Sequence, residues 1–282
     1  MFGTPPNRTL FPAETDSPAM SSRRRKPDWL KSRPPSGQRF ADIKETLREH
    51  DLHTVCEEAN CPNMGECWSG RDGPGTGAGT ATFMLMGERC SRGCNFCDVA
   101  TGGMDPLDPD EPENVANAVG EIGLDYVVLT SVDRDDLEDG GAAHFAETIR
   151  ACKRENPGTL VEVLIPDFGG DPEDVRKIID AEPDVIAHNV ETVERLQWPV
   201  RDRRADYEQS LDVLEQVKRE SNIYTKTSLM LGLGEYDHEL YQTLTDLREV
   251  DVDVVTFGQY LQPSRSHLDV FEYVHPDAFE TW

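Results

Sequence analysis

From residue 81 onward the sequence alternates short β-branched, apolar runs with helical patterns, and this alternation confines the chain to a parallel α/β architecture. The runs fall at 81–86, 126–130, 160–165, 184–188, 225–231 and 254–258. Helical patterns occupy about 112–122, 140–155, 171–181, 206–220 and 236–250, several opened by Asp or Asp-Pro, residues that satisfy the free N–H groups of a first turn. Parallel neighbours joined through a helix cross over with a right hand, so six such units predict either an incomplete barrel or a doubly wound sheet. Polar clusters follow every run, at 90–97, 130–136, 166–170, 189–192, 232–235 and 259–264. Six loops converging on the ligand-bearing edge favour a barrel mouth, and the expected fold is an incomplete (βα)6 TIM-like barrel with a cysteine-containing N-terminal extension.

The 282 residues are 37% hydrophobic, enough for one large core or two small ones. With 54 acidic and 28 basic residues the formal charge is −26, which argues against nucleic acid or an anionic membrane surface as a partner. Residues 1–50 hold ten bases and six acids, whereas 51–282 hold 18 and 48, so a basic arm precedes an acidic body. Arginine outnumbers lysine 21 to 7. The bland reading is ordinary acidic bias; the preferred one is a surface adapted to high salt, where a Debye length of about 3 Å at 1 M makes such self-repulsion tolerable. No apolar run approaches the roughly 18 residues of a spanning helix, and the first 40 residues lack a signal-peptide core. Arg23-Arg24-Arg25 is followed by polar Lys26-Pro27-Asp28 rather than an apolar stretch. A cytoplasmic location is expected.

Three regions are expected along the chain. Residues 1–37 hold seven prolines and form a basic arm, partly disordered by composition. Residues 38–80 comprise a short amphipathic helix on Phe40, Ile43 and Leu47, a cysteine segment, and a flexible Gly-rich connector at 69–80 that lacks the Gly-Lys-Ser/Thr of a phosphate loop. Residues 81–282 form the barrel.

Six of seven cysteines fall between Cys56 and Cys97, in two triplets: Cys56-x4-Cys61-x5-Cys67 and Cys90-x3-Cys94-x2-Cys97. Three thiolates on a cubane cluster leave one iron open, and soft sulfur ligands suit iron–sulfur chemistry. On spacing, two clusters fit best; a zinc site completed by His53 or His50, or disulfides, are the alternatives. Cys152 lies mid-helix and reads as a structural core residue. His188, at a strand end, reads as a hydrogen-bonded core residue rather than a ligand.

The spacing Cys90-x3-Cys94-x2-Cys97, with Phe96 before the last cysteine and the loop following the first barrel strand, resembles the radical S-adenosylmethionine (SAM) superfamily. The stretch from Leu52 to Cys67 is similar to the auxiliary-cluster segment of lipoyl synthases. Further similarities to that family are Lys26-Pro-Asp-Trp-Leu-Lys31, Cys97-Asp-Val-Ala100, Thr130-Ser-Val-Asp-Arg-Asp-Asp136, Asp139-Gly-Gly-Ala142, His188-Asn189, Leu231-Gly-Leu-Gly-Glu235 and Gly258-Gln-Tyr-Leu-Gln-Pro-Ser-Arg265. They span about residues 26–280.

The resemblance implies that Cys90, Cys94 and Cys97 bind a [4Fe–4S] cluster whose open iron chelates SAM, and that reductive cleavage of SAM yields methionine and a 5′-deoxyadenosyl radical. It implies that Cys56, Cys61 and Cys67 bind an auxiliary [4Fe–4S] cluster consumed as sulfur donor. The implied substrate is an octanoyl chain on a lysine of a lipoyl carrier domain, sulfurated at C6 and C8 at the expense of two SAM molecules, with electrons from an unidentified donor. Around SAM the resemblance and loop position together place Phe96, Thr130, Ser131, Asn189, Glu191, Arg201, Gln259 and Tyr260. The bland alternatives are loop capping for Thr130 and Ser131, a solvated turn for Asn189 and Glu191, and a surface charge pair for Arg201. The glycines of Gly232-Leu-Gly-Glu235 are candidates to let backbone approach adenine, or are simply a turn. The acidic run 133–139 reads mainly as solvated surface, although the similarity over residues 130–136 makes part of it a site candidate. Lipoyl synthases carry a C-terminal Arg-Ser-Ser-Tyr stretch whose serine ligates the auxiliary cluster. The chain stops at Trp282 without it, and Ser264-Arg265-Ser266 is no substitute, so a fragment with impaired turnover is expected. The rival readings are another radical SAM enzyme, which would not accept an octanoylated carrier, and a non-enzymatic metal scaffold, which would not cleave SAM.

Overall fold

The computed structural model describes residues 25–30, 38–50, 52–58, 61, 64–69 and 80–282. Most of the arm at 1–37 and of the connector at 69–80 lies outside the described residues.

Seven strands form the main sheet: β1 (His53–Thr54), β2 (Ala81–Leu85), β3 (Tyr126–Ser131), β4 (Leu160–Leu164), β5 (Val185–Ala187), β6 (Tyr224–Leu231) and β7 (Val254–Gln259). Their spatial order follows the chain, β1 to β7. β1 pairs antiparallel with β2 and every later pair is parallel. A doubly wound sheet reverses its strand order at a switch point and this one does not, which selects the barrel-type winding of the two predicted alternatives. Among the described residues nothing pairs β7 back to β1, so the barrel is incomplete.

Helices α1 (Gln38–Glu49), α2 (Val55–Glu58) and α3 (Met64–Ser69) precede β2. The crossovers carry α4 (Glu111–Ile122), α5 (Ala142–Glu155), α6 (Pro172–Ile179), α7 (Gln197–Val200), α8 (Tyr207–Glu220) and α9 (Asp237–Glu249), and α10 (Pro276–Phe279) follows β7. Local chemistry fixes their ends. Asp171 caps α6 by accepting from Glu173 N, with Pro172 pre-set for the first turn, and Asp206 caps α8 by accepting from Glu208 N and Gln209 N. Gly123 ends α4 in the left-handed region, where an L side chain is strained.

Val127, Leu129, Val161, Val163 and Ile186 are fully buried, as apolar runs covered on both faces must be. On β6, Thr225, Thr227, Leu229 and Leu231 are buried in strict alternation. Ile43 and Leu47 of α1, Cys56 and Trp68 share one continuous core with Phe83 and Leu85, so the cysteine extension is packed onto the barrel's first strand. Another apolar cluster, Val193, Leu196 and Val200, packs with Phe96 of the second cysteine triplet's loop and with Met230, Leu233 and Leu268. The predicted strands and long helices agree with the observed ones to within two residues. The two-residue β1 and the short α2, α3 and α7 are absent from the prediction, because two to six residues cannot display a period.

Candidate active site

Cys90, Cys94 and Cys97 lie on the connection after β2, and three segments of the chain pin it. Ser91 N donates to Asp133 O at 3.0 Å, Gly93 N to Asp202 Oδ2 at 2.9 Å, and Asn95 N to Val200 O at 2.9 Å. Leu268 N donates to Asn95 O at 3.2 Å, and His267 Nε2 bonds the Cys97 carbonyl at 2.9 Å while its Nδ1 meets Ser264 Oγ at 2.9 Å. Ser264 of the Gln-Pro-Ser-Arg motif is thus tied through His267 to the loop of the second triplet.

The donor set fits an iron–sulfur cluster. Backbone N–H groups of Arg92 and Asp133 point at Cys90 Sγ at 3.4 and 3.3 Å, and that of Asp202 at Cys94 Sγ at 3.3 Å, contacts that favour thiolate. Burial opposes them and pushes Cys90 up to about 12 and Cys94 up to about 11. In the first triplet burial likewise pushes Cys56 up to about 11, against the Thr82 N–H. The indole Nε1 of Trp68 is wholly buried without an oxygen or nitrogen partner and lies near enough to Cys56 to favour its charged form. A buried N–H with no oxygen or nitrogen partner beside a cysteine fits a site built to stabilise a thiolate. Among the described residues no three His, Cys, Asp or Glu side chains converge as a single ion requires.

The other predicted site residues divide into two groups. Asn189 and Glu191 extend β5 toward β6: Glu191 N donates to Ser228 O at 3.1 Å and Met230 N to Glu191 O at 2.8 Å. Glu191 sits at φ 69°, and its carboxylate accepts from Asn189 Nδ2 at 3.1 Å. Burial pushes this carboxyl above the usual range, opposed by the charge of Arg201 and the Asn189 amide. Arg201 is 7% exposed rather than a surface charge; its Nη1 donates to Gln197 Oε1 at 3.1 Å and Ser210 Oγ at 2.9 Å, and among the described residues no carboxylate stands within ion-pair distance. Ser131 Oγ is buried and has no hydrogen-bond partner among the described residues. Phe96 is seated in the apolar cluster under the loop.

The second group holds the chain together. Thr130 donates to Leu164 O at 2.9 Å. The Gln259 amide is fully engaged, donating to the carbonyls of Leu231, Tyr260 and Glu272 and accepting from Val274 N. Tyr260 OH donates to Leu268 O at 2.8 Å. Gly232, at φ +95°, makes a turn: a Cβ there would meet Glu272 O at 2.3 Å, so its close approach is to this chain's own backbone.

His188 is buried, with Nδ1 2.9 Å from Ile165 O and Nε2 3.1 Å from Ser210 Oγ. Burial, then the charge of Arg201, hold its pKa down at about 4. The unfolded chain takes up this proton near pH 6.5 and the folded chain only near 4. Protons thus favour unfolding across that window, and stability should fall as pH drops from 6.5 toward 4. His188→Gln should flatten that part of the curve, measured as denaturant midpoint against pH; an unchanged slope would assign the acid sensitivity elsewhere.

A family model described as "Radical SAM superfamily" matches residues 84–247. The fold agrees with methylornithine synthase at TM-score 0.54 and 16% identity, covering 67% of this chain and 57% of that one. It also agrees with Streptococcus suis SuiB, solved with S-adenosylmethionine, at TM-score 0.53 and 8% identity, covering 68% and 43%. The open parallel barrel with a three-cysteine loop after its first parallel strand is that of a radical SAM enzyme. A second model, the "N-terminal domain of lipoyl synthase of Radical_SAM family", matches residues 13–61. Lipoyl synthases of the halophilic archaea Halorubrum lacusprofundi and Natronomonas pharaonis are 81% and 77% identical, each over 93% of this chain and 83% and 84% of the relative; the mitochondrial lipoyl synthase of Aedes aegypti is 56% identical over 93% and 66%. The chain belongs to the lipoyl synthases, sulfur-inserting radical SAM enzymes. Membership implies [4Fe–4S] chemistry, SAM and, for the family in general, lipoyl carrier proteins as substrates. No helix among the described residues is long and apolar enough to cross a membrane.

Proposed function

We propose that Cys90, Cys94 and Cys97 hold the cluster that works with SAM, and that Cys56, Cys61 and Cys67 hold a second [4Fe–4S] cluster. Bound there, the two clusters and SAM supply the electron, the adenosyl radical and the sulfur that convert a protein-bound octanoyl group into a lipoyl group at C6 and C8. The chain's own residues bind and orient. Arg201 supports this reading most directly: a buried guanidinium with no carboxylate within ion-pair distance among the described residues answers the carboxylate of an amino-acid ligand. It is adjacent to Asp202, whose N–H faces Cys94 Sγ, so that carboxylate would lie beside the cluster loop. Ser131 offers a free hydroxyl and Glu191 with Asn189 a polar pair, while Phe96 supplies apolar surface that excludes water from a radical. Thr130, Gln259 and Tyr260 support the rim.

Anaerobic reconstitution followed by dithionite, SAM and an octanoyl-lysine peptide tests the whole reading. About eight irons per chain, 5′-deoxyadenosine and a thiolated octanoyl product are expected, four irons belonging to each cluster. Zinc with no SAM cleavage would overturn it. Arg201→Gln should weaken SAM binding about tenfold or more, as loss of a charge-assisted bond does, with iron content unchanged. Titration of SAM by calorimetry checks this, and wild-type affinity would remove Arg201 from the pocket.

A further inference from the structure

We propose that Arg92, between the first two cysteines of the second triplet, is the positioning residue that clamps the cluster loop in the geometry that receives a cluster and SAM. This rests on the reading that Cys90, Cys94 and Cys97 hold a cluster. Arg92 is 5% exposed. Its Nη1 and Nη2 each donate to Asp167 at 2.7 Å, its Nε meets both Asp135 oxygens at 3.1 Å, and Nη2 reaches Asp135 Oδ1 at 2.7 Å. Asp133 stands 3.4 Å from Nη1. Asp133 and Asp135 follow β3, and Asp167 follows β4 and is itself 1% exposed. One planar fork therefore joins the loops after three successive strands.

Neighbouring bonds act in the same sense. Ser91 Oγ donates to Asp135 and accepts from its N–H, and Arg204 Nη2 donates to Ser91 O at 2.8 Å. Cys90 Sγ lies 3.5 Å from Asp133 Oδ2. The clamp is thus one side chain away from the first sulfur on one side and bonded to two strand ends on the other. Its geometry is specific to arginine: lysine carries the charge but is a point donor that cannot engage two carboxylates edge-on. A buried ion network is weak evidence for stability and better evidence for fixed register. Here it fixes the register of the loop on which three thiols must converge.

The test uses the full chain bearing Arg92→Lys, Arg92→Gln or Asp167→Asn, reconstituted anaerobically. Iron content, cooperative unfolding and the EPR signal of the reduced cluster that shifts on adding SAM are measured. Both Arg92 variants should unfold cooperatively and keep the first-triplet iron, yet the SAM-responsive signal should drop about tenfold in each, as loss of a bidentate charged pair implies. Asp167→Asn, which leaves Arg92 on Asp135, should show a smaller drop in the same direction and keeps the test decisive if an Arg92 variant does not fold. A purely structural role would lower the melting temperature and leave the SAM-responsive signal per folded chain unchanged, which overturns the proposal. Full recovery in Arg92→Lys also overturns it, because charge alone would then suffice. If wild type shows no SAM-responsive signal, the cluster assignment itself fails, a result separable from failure of the clamp.

Discussion

Cys94→Ala is expected to bring 5′-deoxyadenosine formation down to background and to remove about four irons per chain while the iron of the first triplet stays, since a cubane held by three protein thiolates does not survive the loss of one. Cys94 is the central cysteine of its triplet, accepting from Asp202 N and flanked by Gly93 and Asn95, which are tied to Asp202, Val200 and Pro199. Those ties mean the substitution empties one position without loosening the loop, so the loss reads as chemistry rather than unfolding. Cys152→Ala is the matched comparison. Cys152 is fully buried within α5, and burial pushes its thiol up to about 12, so it offers no thiolate and its replacement should leave iron and SAM cleavage at wild-type levels. Iron counting with mass spectrometry of the nucleoside checks both. Eight irons and full cleavage in Cys94→Ala would place the radical site elsewhere.

What the sequence reveals and what it hides follow from one physical distinction. Strands and long helices announce themselves by periodicity, which is why β2 to β7 and the helices α4, α5, α6, α8 and α9 are legible in the amino-acid pattern alone. The cysteines announce themselves by reactivity and spacing. Polar loop residues announce nothing about their partners: Gln259 and Arg201 read alike in sequence, yet one has every amide atom engaged by its own chain and the other carries a buried charge with no carboxylate within ion-pair distance among the described residues. Arg92 is hidden because it lies inside the cysteine motif; Asp133 and Asp135 read as solvated surface by charge pattern, and only the resemblance over residues 130–136 marks part of that run as a site candidate. The physical signal is positional. All three stand in loops that follow strands, where a parallel barrel gathers its site, and Asp167 stands in the next such loop.

At the opposite end of the strands the same sheet carries a buried polar contact whose loss should lower stability by several kcal/mol. Glu162, third residue of β4, is 4% exposed; Lys226 of β6 donates to its two oxygens at 2.8 and 2.9 Å, and Tyr126, the first residue of β3, donates to it as well. Burial, followed by the bond to Glu162, pushes the Tyr126 hydroxyl above its usual range, so it remains a donor at any working pH. Because β5 lies between β4 and β6, the lysine must reach across a strand, which a sheet curled toward a barrel permits. Removing one partner of such a pair strands the other charge in the interior, whereas removing both can be nearly neutral. Lys226 retains 30% exposure, so Lys226→Met should cost about 3 kcal/mol, the low end for a broken buried pair. The double variant Glu162→Gln with Lys226→Met should recover more than half of that loss, because the remaining amide still accepts from Tyr126 and no charge is left unpaired. Urea denaturation of both variants against wild type measures the difference, and repeating it in molar salt should leave it largely intact, since a buried pair is screened far less than a surface one. Equal stabilities of single and double variants would show that Lys226 contributes packing of its aliphatic stem and not the neutralisation of Glu162.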